Sequence, residues 1–476
     1  MITKLKNYVL VLILFVGTSA QLFAKGPENN RLIVLIDIDY TEPDDAQSLI
    51  RLLLYSNQID IQGLIATTNN EQRDEIYPDY IRKIIGEYDK VQPNLLKHEK
   101  GFPTAQELLK VVKEGLPLYG MKGVGKGNDS EGSEWIIAKL EENDDRPLWI
   151  NVWGGSTVLA QSLWKIQETK SKKEASRLIS KLRVYAISDQ DDSGAWIRKT
   201  FPDLFYIVTP GPYEDGVWGG IMNLIPGLNN DVISNFWLAE NVQQGHGPLG
   251  AIYPNVVFGV EGDTPSFLYL LNNGLNSSEN PNWGSWGGRY EFYKPENDTT
   301  VEWRIPIVPE TRPIWTNAED TYTPTVETPF GMSVANDTVT VTGDKITLAR
   351  WREDFQNDFA ARMDWCVKEY EDANHPPVVK LVTPANITVK SGEIFHLDAT
   401  ECYDPDGDGL IYYWFNYREA GTCTEEARLF PPNSAKIRAM APKVDKPETV
   451  HFILKVTDRG TPRLSRYARV VVTVEP

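Results

Sequence analysis

The chain has 476 residues, 41% hydrophobic and 24% charged, a balance that fits packed domains and sets aside a disordered chain. Its net charge of -18 argues against nucleic acid as a partner, because phosphate binding needs a basic surface. A neutral or sugar-like ligand, or a cation, suits that charge. The 14 Trp and 21 Tyr offer faces for stacking on sugars, although most such rings fill cores.

The chain opens MITKLKNYVLVLILFVGTSAQLFAKG. Lys4 and Lys6 precede an apolar run from Tyr8 to Val16, and small residues offer cleavage after Ala20 or Ala24. Residues 1–24 therefore read as a secretory signal peptide; the run is short for a spanning helix, and an uncleaved anchor is the weaker alternative. No later run is long enough to span a bilayer. The mature chain is expected to be exported, periplasmic or extracellular, with no membrane span after cleavage. Of three cysteines, Cys366 is expected to be a buried apolar residue, while an oxidising compartment would permit Cys402 and Cys423 to pair. No His/Cys ligand cluster is present.

From Arg31 to about Ile225 strands and helices alternate. RLIVLIDI, IDIQGLIAT, PLWINVWGG, KLRVYAIS and LFYIVTP read as strands. DDAQSLIRLLLYSN, SEWIIAKLEEN, STVLAQSLWKIQE and SGAWIRKTF read as helices, the third opened by a Ser/Thr cap. The pattern predicts an α/β fold, a mainly parallel sheet with flanking helices, spanning residues 25–374. Residues 226 to 372 are less regular and read as long loops completing that domain, closed by one helix, ITLARWREDFQNDFAARMDWCVKEYED. HPP at 375 to 377 reads as a linker. VVKLVTP, EIFHLDATEC, LIYYWFNY, VHFILKVTD and RYARVVVTVEP then read as the strands of an all-β, immunoglobulin-like sandwich over residues 375–476. In that region Tyr412, Tyr413, Trp414, Phe415 and Tyr417 are candidates for a carbohydrate platform, although strand alternation would bury about half of them and Trp414 is expected in the core. DPDGDGL, with Asp404, Asp406 and Asp408, reads as a polar turn in preference to a calcium loop.

The stretch that carries chemistry is IDIDYTEPDDAQSL, residues 36 to 49. Asp37, Asp39, Glu42, Asp44 and Asp45 follow a buried strand directly, where carboxylates are costly unless compensated. One reading is a solvated acidic loop. The other is a site for a hard divalent cation, which takes several carboxylate and carbonyl oxygens and can activate a water.

This stretch resembles the DxDxxxDD signature of the calcium-dependent nucleoside hydrolases, with one residue more between the first aspartate and the pair. Asp37 or Asp39 would be the equivalent of the first; Asp37 continues the strand and is favoured. A closer resemblance is to a nucleoside-hydrolase-like family of exported, cellulose-binding bacterial proteins. EPDDAQSLIRLLLYSNQIDIQGLIATT, YAISDQDDSGAWIRKTFPDLFYIV, HGPLGAIYP, EGDTPSFLYLLNNGL and WGSWGGRY carry it, and it extends from about residue 31 to 476.

The nucleoside-hydrolase resemblance implies Ca²⁺ as cofactor and a role for each matching position. Asp37 would be a calcium ligand and the base that deprotonates the attacking water. Asp45 and Asp263 would be calcium ligands, and so would the backbone carbonyl of Trp153, although WGGST departs from the usual TGPLTN. Asp44 and Asn69 would bind sugar hydroxyls, and Gln190 and Asp191 would grip the sugar. His246 is the candidate acid for the leaving group, having an ordinary pKa near neutrality; a structural loop histidine is the alternative. His98, His375, His396 and His451 are not expected to be catalytic. The functions left open are an exported hydrolase of glycosyl bonds and a carbohydrate-binding protein with a non-catalytic pocket. The ligand would be a nucleoside, a glycoside or a polysaccharide, and oligomerisation stays open.

Overall fold

RLIVL is apolar at consecutive positions, the pattern of a strand covered on both faces. In the computed structural model, which describes residues 29–211, 215–275, 278–296, 309–328, 332–336 and 339–476, it forms β1 (Asn30–Ile36). The expected signal peptide lies outside the described residues. Leu32, Val34 and Ile36 enter one hydrophobic core, and Ile33 and Leu35 enter another on the opposite face of the sheet.

Seven strands join β1: β2 (Ile59–Ala66), β3 (Val112–Glu114), β4 (Leu148–Val152), β5 (Leu182–Ser188), β6 (Phe205–Thr209), β7 (Tyr290–Tyr293) and β8 (Ile314–Asn317). Their order is β3-β2-β1-β4-β5-β6-β8-β7, parallel throughout except between β7 and β8. The chain runs outward from β1 to β3, then returns and builds the other half from β4. The winding reverses between β1 and β4, and such a switch opens a crevice at the carboxyl ends of the strands. Asp37 stands at that crevice.

One face carries α1 (Asp44–Leu54), α2 (Pro78–Tyr88), α3 (Gln92–His98) and α4 (Ala105–Lys110). The other carries α5 (Glu131–Glu141), α6 (Thr157–Thr169), α7 (Lys172–Ser180) and α8 (Ser193–Thr200). Then come α9 (Gly216–Met222), α10 (Asn235–Leu238), α11 (Gly247–Ala251) and α12 (Thr264–Leu268). Two small antiparallel pairs follow: β9 (Asp320–Tyr322) with β12 (Val341–Gly343), and β10 (Thr325–Glu327) with β11 (Ser333–Ala335). The single closing helix of the sequence reading is two, α13 (Ile346–Ala349) and α14 (Arg352–Asp364), separated by a turn at Arg350 and Trp351.

The C-terminal strands are β13 (Asn386–Lys390), β14 (Ile394–Asp398), β15 (Ile411–Asn416), β16 (Arg428–Phe430), β17 (Lys436–Met440), β18 (Glu448–Thr457) and β19 (Ser465–Glu475). They form a sheet β13-β19-β18-β15 and a sheet β14-β17-β16 around a common core that includes Trp414. VVKLVTP is not a strand: only Val378 pairs, with Tyr403, and prolines on either side withhold donors. The three cysteines are free, Cys402 and Cys423 included. Asp354 and Asp358 of α14 receive Lys455, Tyr467 and Arg466 across a buried seam, so the sandwich is locked to the α/β part. Among the described residues no helix is long and apolar enough to cross a membrane.

Candidate metal centre

The neighbours of β1 hold its end. The Trp153 amide donates to the Leu35 carbonyl (3.0 Å) and the Thr67 amide to that of Ile36 (2.8 Å). Asp37 comes next, 5 % exposed. The Asn69 side-chain amide donates to Asp37 Oδ2 (2.6 Å), and its own oxygen accepts the Glu71 and Gln72 amides. Asn69 is therefore a brace for Asp37. Asp39 Oδ1 accepts the Thr41 amide (2.5 Å), the Thr41 hydroxyl (3.0 Å) and the Glu42 amide (2.7 Å). It braces the loop, and Asp37 is the one that faces inward. The extra residue of this signature is taken up by that turn.

The loop delivers Asp44 and Asp45 to the first turn of α1, where the helix dipole favours negative charge. Asp263 stands just before α12. One carboxylate oxygen from each of Asp44, Asp45 and Asp263 lies within 4.8 Å of the others, and all three residues are buried. Asp37 Oδ1, Asp45 Oδ1 and Asp263 Oδ2 have no hydrogen-bond partner. Among the described residues no Lys, Arg or His forms an ion pair with any of the four. Burial, then repulsion from neighbouring carboxylates, pushes Asp44, Asp45 and Asp263 well above the usual carboxylate range. Burial raises Asp37 to about 6, against the opposing bonds from its neighbours, and raises Glu42 to about 7. A cluster of hard oxygens without a counter-charge fits a divalent cation of the calcium type.

Backbone close approach completes the pocket. A Cβ on Gly154 would lie 2.3 Å from Asp37 Cγ, and one on Gly155 would lie 2.5 Å from Asp191 Oδ2. A Cβ on Gly262 would meet the Trp218 ring at 2.6 Å and Asp44 Oδ2 at 2.8 Å, which places the half-buried Trp218 beside the carboxylates. Glu261 adopts φ 48°, a conformation side chains rarely take, and is fully buried. Arg51 Nη1 and the Tyr253 hydroxyl bind its carboxylate, and Gln47 accepts its amide N–H. α1 thus supplies two of the acids and the groups that hold the segment carrying Asp263. The sequence reading missed Glu261, Arg51 and Trp218; the paired glycines after a buried strand were its one visible signal of close approach.

Four residues expected at the site, Trp153, Gln190, Asp191 and His246, have partners within the fold. The Trp153 carbonyl accepts the Gln190 side-chain amide (2.7 Å), so that oxygen and Gln190 serve each other. Asp191 accepts from Ser156, Thr157 and from Ser193, both amide and hydroxyl, tying α6 to α8. It holds the scaffold chiefly through Oδ1, and Ser156, bound to it, does not cap α6. His246 Nε2 faces Asp364 (3.3 Å). Arg362, two residues earlier, donates to the Leu54 carbonyl at the last turn of α1. His246 is therefore beside the far end of an 11-residue helix, roughly 15 Å from the acids at its start. Asp404, Asp406 and Asp408 also approach one another, but Asp404 Oδ1 accepts the amides of the other two and Asp406 binds His375, forming a turn that anchors the connection between the two parts.

The family model described as cellulose-binding Sde182, nucleoside hydrolase-like domain, matches residues 31–290. The model for the C-terminal domain of cellulose-binding protein Sde0182 matches residues 394–474. A nucleoside hydrolase-related protein from Saccharophagus degradans, described as associated with carbohydrate metabolism, is 33% identical over 94% of this chain and 100% of its own, with a TM-score of 0.78. An effector protein, XOO4466, overlaps 61% of this chain and 88% of its own at 11% identity and a TM-score of 0.29. A PKD domain overlaps 20% of this chain and 86% of its own at 18% identity and a TM-score of 0.16. Neither of these two overlaps supports a conclusion. No curated protein matches the chain.

Proposed function

The chain belongs to the cellulose-binding, nucleoside hydrolase-like family, and from that membership we propose an exported, calcium-dependent hydrolase of glycosyl bonds. The observation that carries this reading is the buried carboxylate cluster, with its partnerless oxygens on Asp37, Asp45 and Asp263. Asp44, Asp45 and Asp263 would hold the cation, with Asp37 beside them. A bound cation would offset their repulsion and polarise a water and the sugar hydroxyls.

The chain's own groups divide the remaining work. Asp37 Oδ2 is fixed by Asn69, which leaves Oδ1 to take a proton from the attacking water. Asp44 Oδ1 accepts the Asp45 amide, which leaves Oδ2, next to Trp218, for a sugar hydroxyl. Chelator should abolish release of sugar from nucleosides and aryl glycosides, and added Ca²⁺ should restore it. Asp37→Asn should stay inactive in both conditions; turnover indifferent to chelator and to Asp37→Asn would overturn the reading. A second reading, carbohydrate binding without turnover, is favoured by the position of His246 and by the scaffold duties of Gln190 and Asp191, which leave the crevice poorer in sugar-gripping groups and without its expected acid.

A further inference from the structure

Two histidines far apart in the sequence meet at the connection between the α/β part and the sandwich. His98 ends α3 and His375 opens HPP; both are buried, and His98 Nδ1 lies 3.0 Å from His375 Nε2. His98 Nε2 faces the Lys368 carbonyl (3.0 Å). His375 Nδ1 faces Asp406 Oδ1 (2.9 Å), and Asp406 Oδ2 accepts the His375 amide (2.7 Å). The His98 ring stacks on Trp365, with centroids 5.3 Å apart, and the His375 ring on Tyr370 at 3.9 Å. The row therefore runs from α3, through the connection, to the turn of the sandwich that carries Asp406.

Counting donors fixes the charge of this row. A carbonyl only accepts, so His98 Nε2 carries a proton; a carboxylate only accepts, so His375 Nδ1 carries another. Between the rings one nitrogen donates to the other, which takes a third. Three protons on four ring nitrogens make one cation shared by two histidines, beside the Asp406 carboxylate. A fourth proton would set two N–H groups and two like charges against each other with no acceptor between them. Burial holds the His98 ring below its ordinary pKa, with the Lys368 carbonyl opposing and His375 adding to the effect. A histidine depressed in the folded state costs stability as pH falls below its unfolded value of about 6.5. The other titratable or charged groups around the row are Lys97, Glu99, Arg362, Lys368, Glu369, Tyr370, Glu371, Asp404 and Asp458. Lys97 pairs with Glu369, Lys368 with Asp364 and Arg362 with Asp358. The remaining acids favour one cation here and leave the contact between the rings as the bar to a second.

We propose that Asp406, His375 and His98 form an acid-sensitive latch between the two parts of the chain, closed by one shared proton and opened by a second. The latch shares no residue with the carboxylate cluster and does not depend on the hydrolase reading. Its opening is read by cleavage of the full chain, in chelator, with glutamyl endopeptidase, which cuts after Glu369 or Glu371 in the exposed part of the connection. His98→Gln keeps a donor and an acceptor and takes no proton. Dividing the native cleavage rate by the variant's at each pH cancels the protease's own pH dependence. It also cancels the titration of the carboxylate cluster and of Asp458, which burial raises to about 6. That ratio is expected to rise about tenfold between pH 7 and pH 5. A ratio that does not change with pH overturns the proposal. Where His98→Gln does not fold, ¹⁵N-histidine spectra of the native chain carry the test. At neutral pH one ring of the pair should be doubly protonated and the other neutral, and the neutral ring should take its second proton only below about pH 6. Two neutral rings at neutral pH, or a second proton taken up above about pH 6.5, would overturn it.

Discussion

Gly154→Ala tests how closely the backbone after β4 shapes the carboxylate cluster. Gly154 is not among the residues with positive φ, so alanine is acceptable to the backbone and the effect is steric. The new methyl would lie 2.3 Å from Asp37 Cγ and 2.5 Å from both Cβ and Oδ1. Ordinary carbon contacts are about 3.5–4.0 Å, so Asp37 or the strand end must shift by roughly 1 Å. Overpacking of this kind costs about 1–3 kcal/mol. Calcium–oxygen distances tolerate only a few tenths of an ångström, so Ca²⁺ affinity should fall about tenfold or more. Gly155→Ala is the contrast: its methyl meets Asp191 Oδ2 and the Thr68 carbonyl, groups outside the cluster, at 2.5 and 2.6 Å. It should lose similar stability with a much smaller change in affinity. Urea unfolding with chelator and with Ca²⁺ separates the two effects. A Gly154→Ala protein with native stability and native calcium affinity would refute the reasoning.

Arg51→Met leaves the fully buried Glu261 without its ion partner and should cost about 3–5 kcal/mol, read by thermal unfolding; a loss under 1 kcal/mol would contradict the bracing role. His246→Ala should leave calcium affinity and any turnover within about twofold, since its partner is Asp364; a hundredfold loss of turnover would restore the acid role to it. Asp358 is buried between Arg466 and Arg362, whose charges hold its pKa down at about 2 against the opposing effect of burial. A depressed acid stabilises the fold above its unfolded pKa of about 4 and loses that effect as pH falls towards 2. Asp358→Asn should therefore cost about 2 kcal/mol at pH 7, with the gap from the native chain closing between pH 4 and 2 in chelator; a pH-independent gap would contradict this.

The parallel sheet was legible because its strands are apolar at consecutive positions and alternate with helices of amphipathic spacing. Asp37, Asp44, Asp45 and Asp263 were legible as candidates because each sits at a strand end or a helix start, and the fold brings Asp44, Asp45 and Asp263 within 4.8 Å of one another. Asp37 was favoured over Asp39 because it continues the strand; the turn that occupies Asp39, closed by the Thr41 and Glu42 amides, was not legible. Gln190, Asp191 and Asn69 are polar residues in the right loops, but their partners come from distant segments that spacing does not reveal. His246 is separated from the acids by the length of α1, a distance that only the packing of α14 against that helix sets. VVKLVTP alternates well enough for a strand, yet Asn386–Lys390 takes the sheet edge beside β19 instead.

The most direct test of the account is isothermal titration of Ca²⁺ into the chelator-stripped chain, native and Asp45→Asn. The account predicts binding in the native chain, with a rise in unfolding temperature that follows calcium concentration, and loss of both in Asp45→Asn. Absence of binding in the native chain, or binding that Asp45→Asn leaves intact, would contradict it.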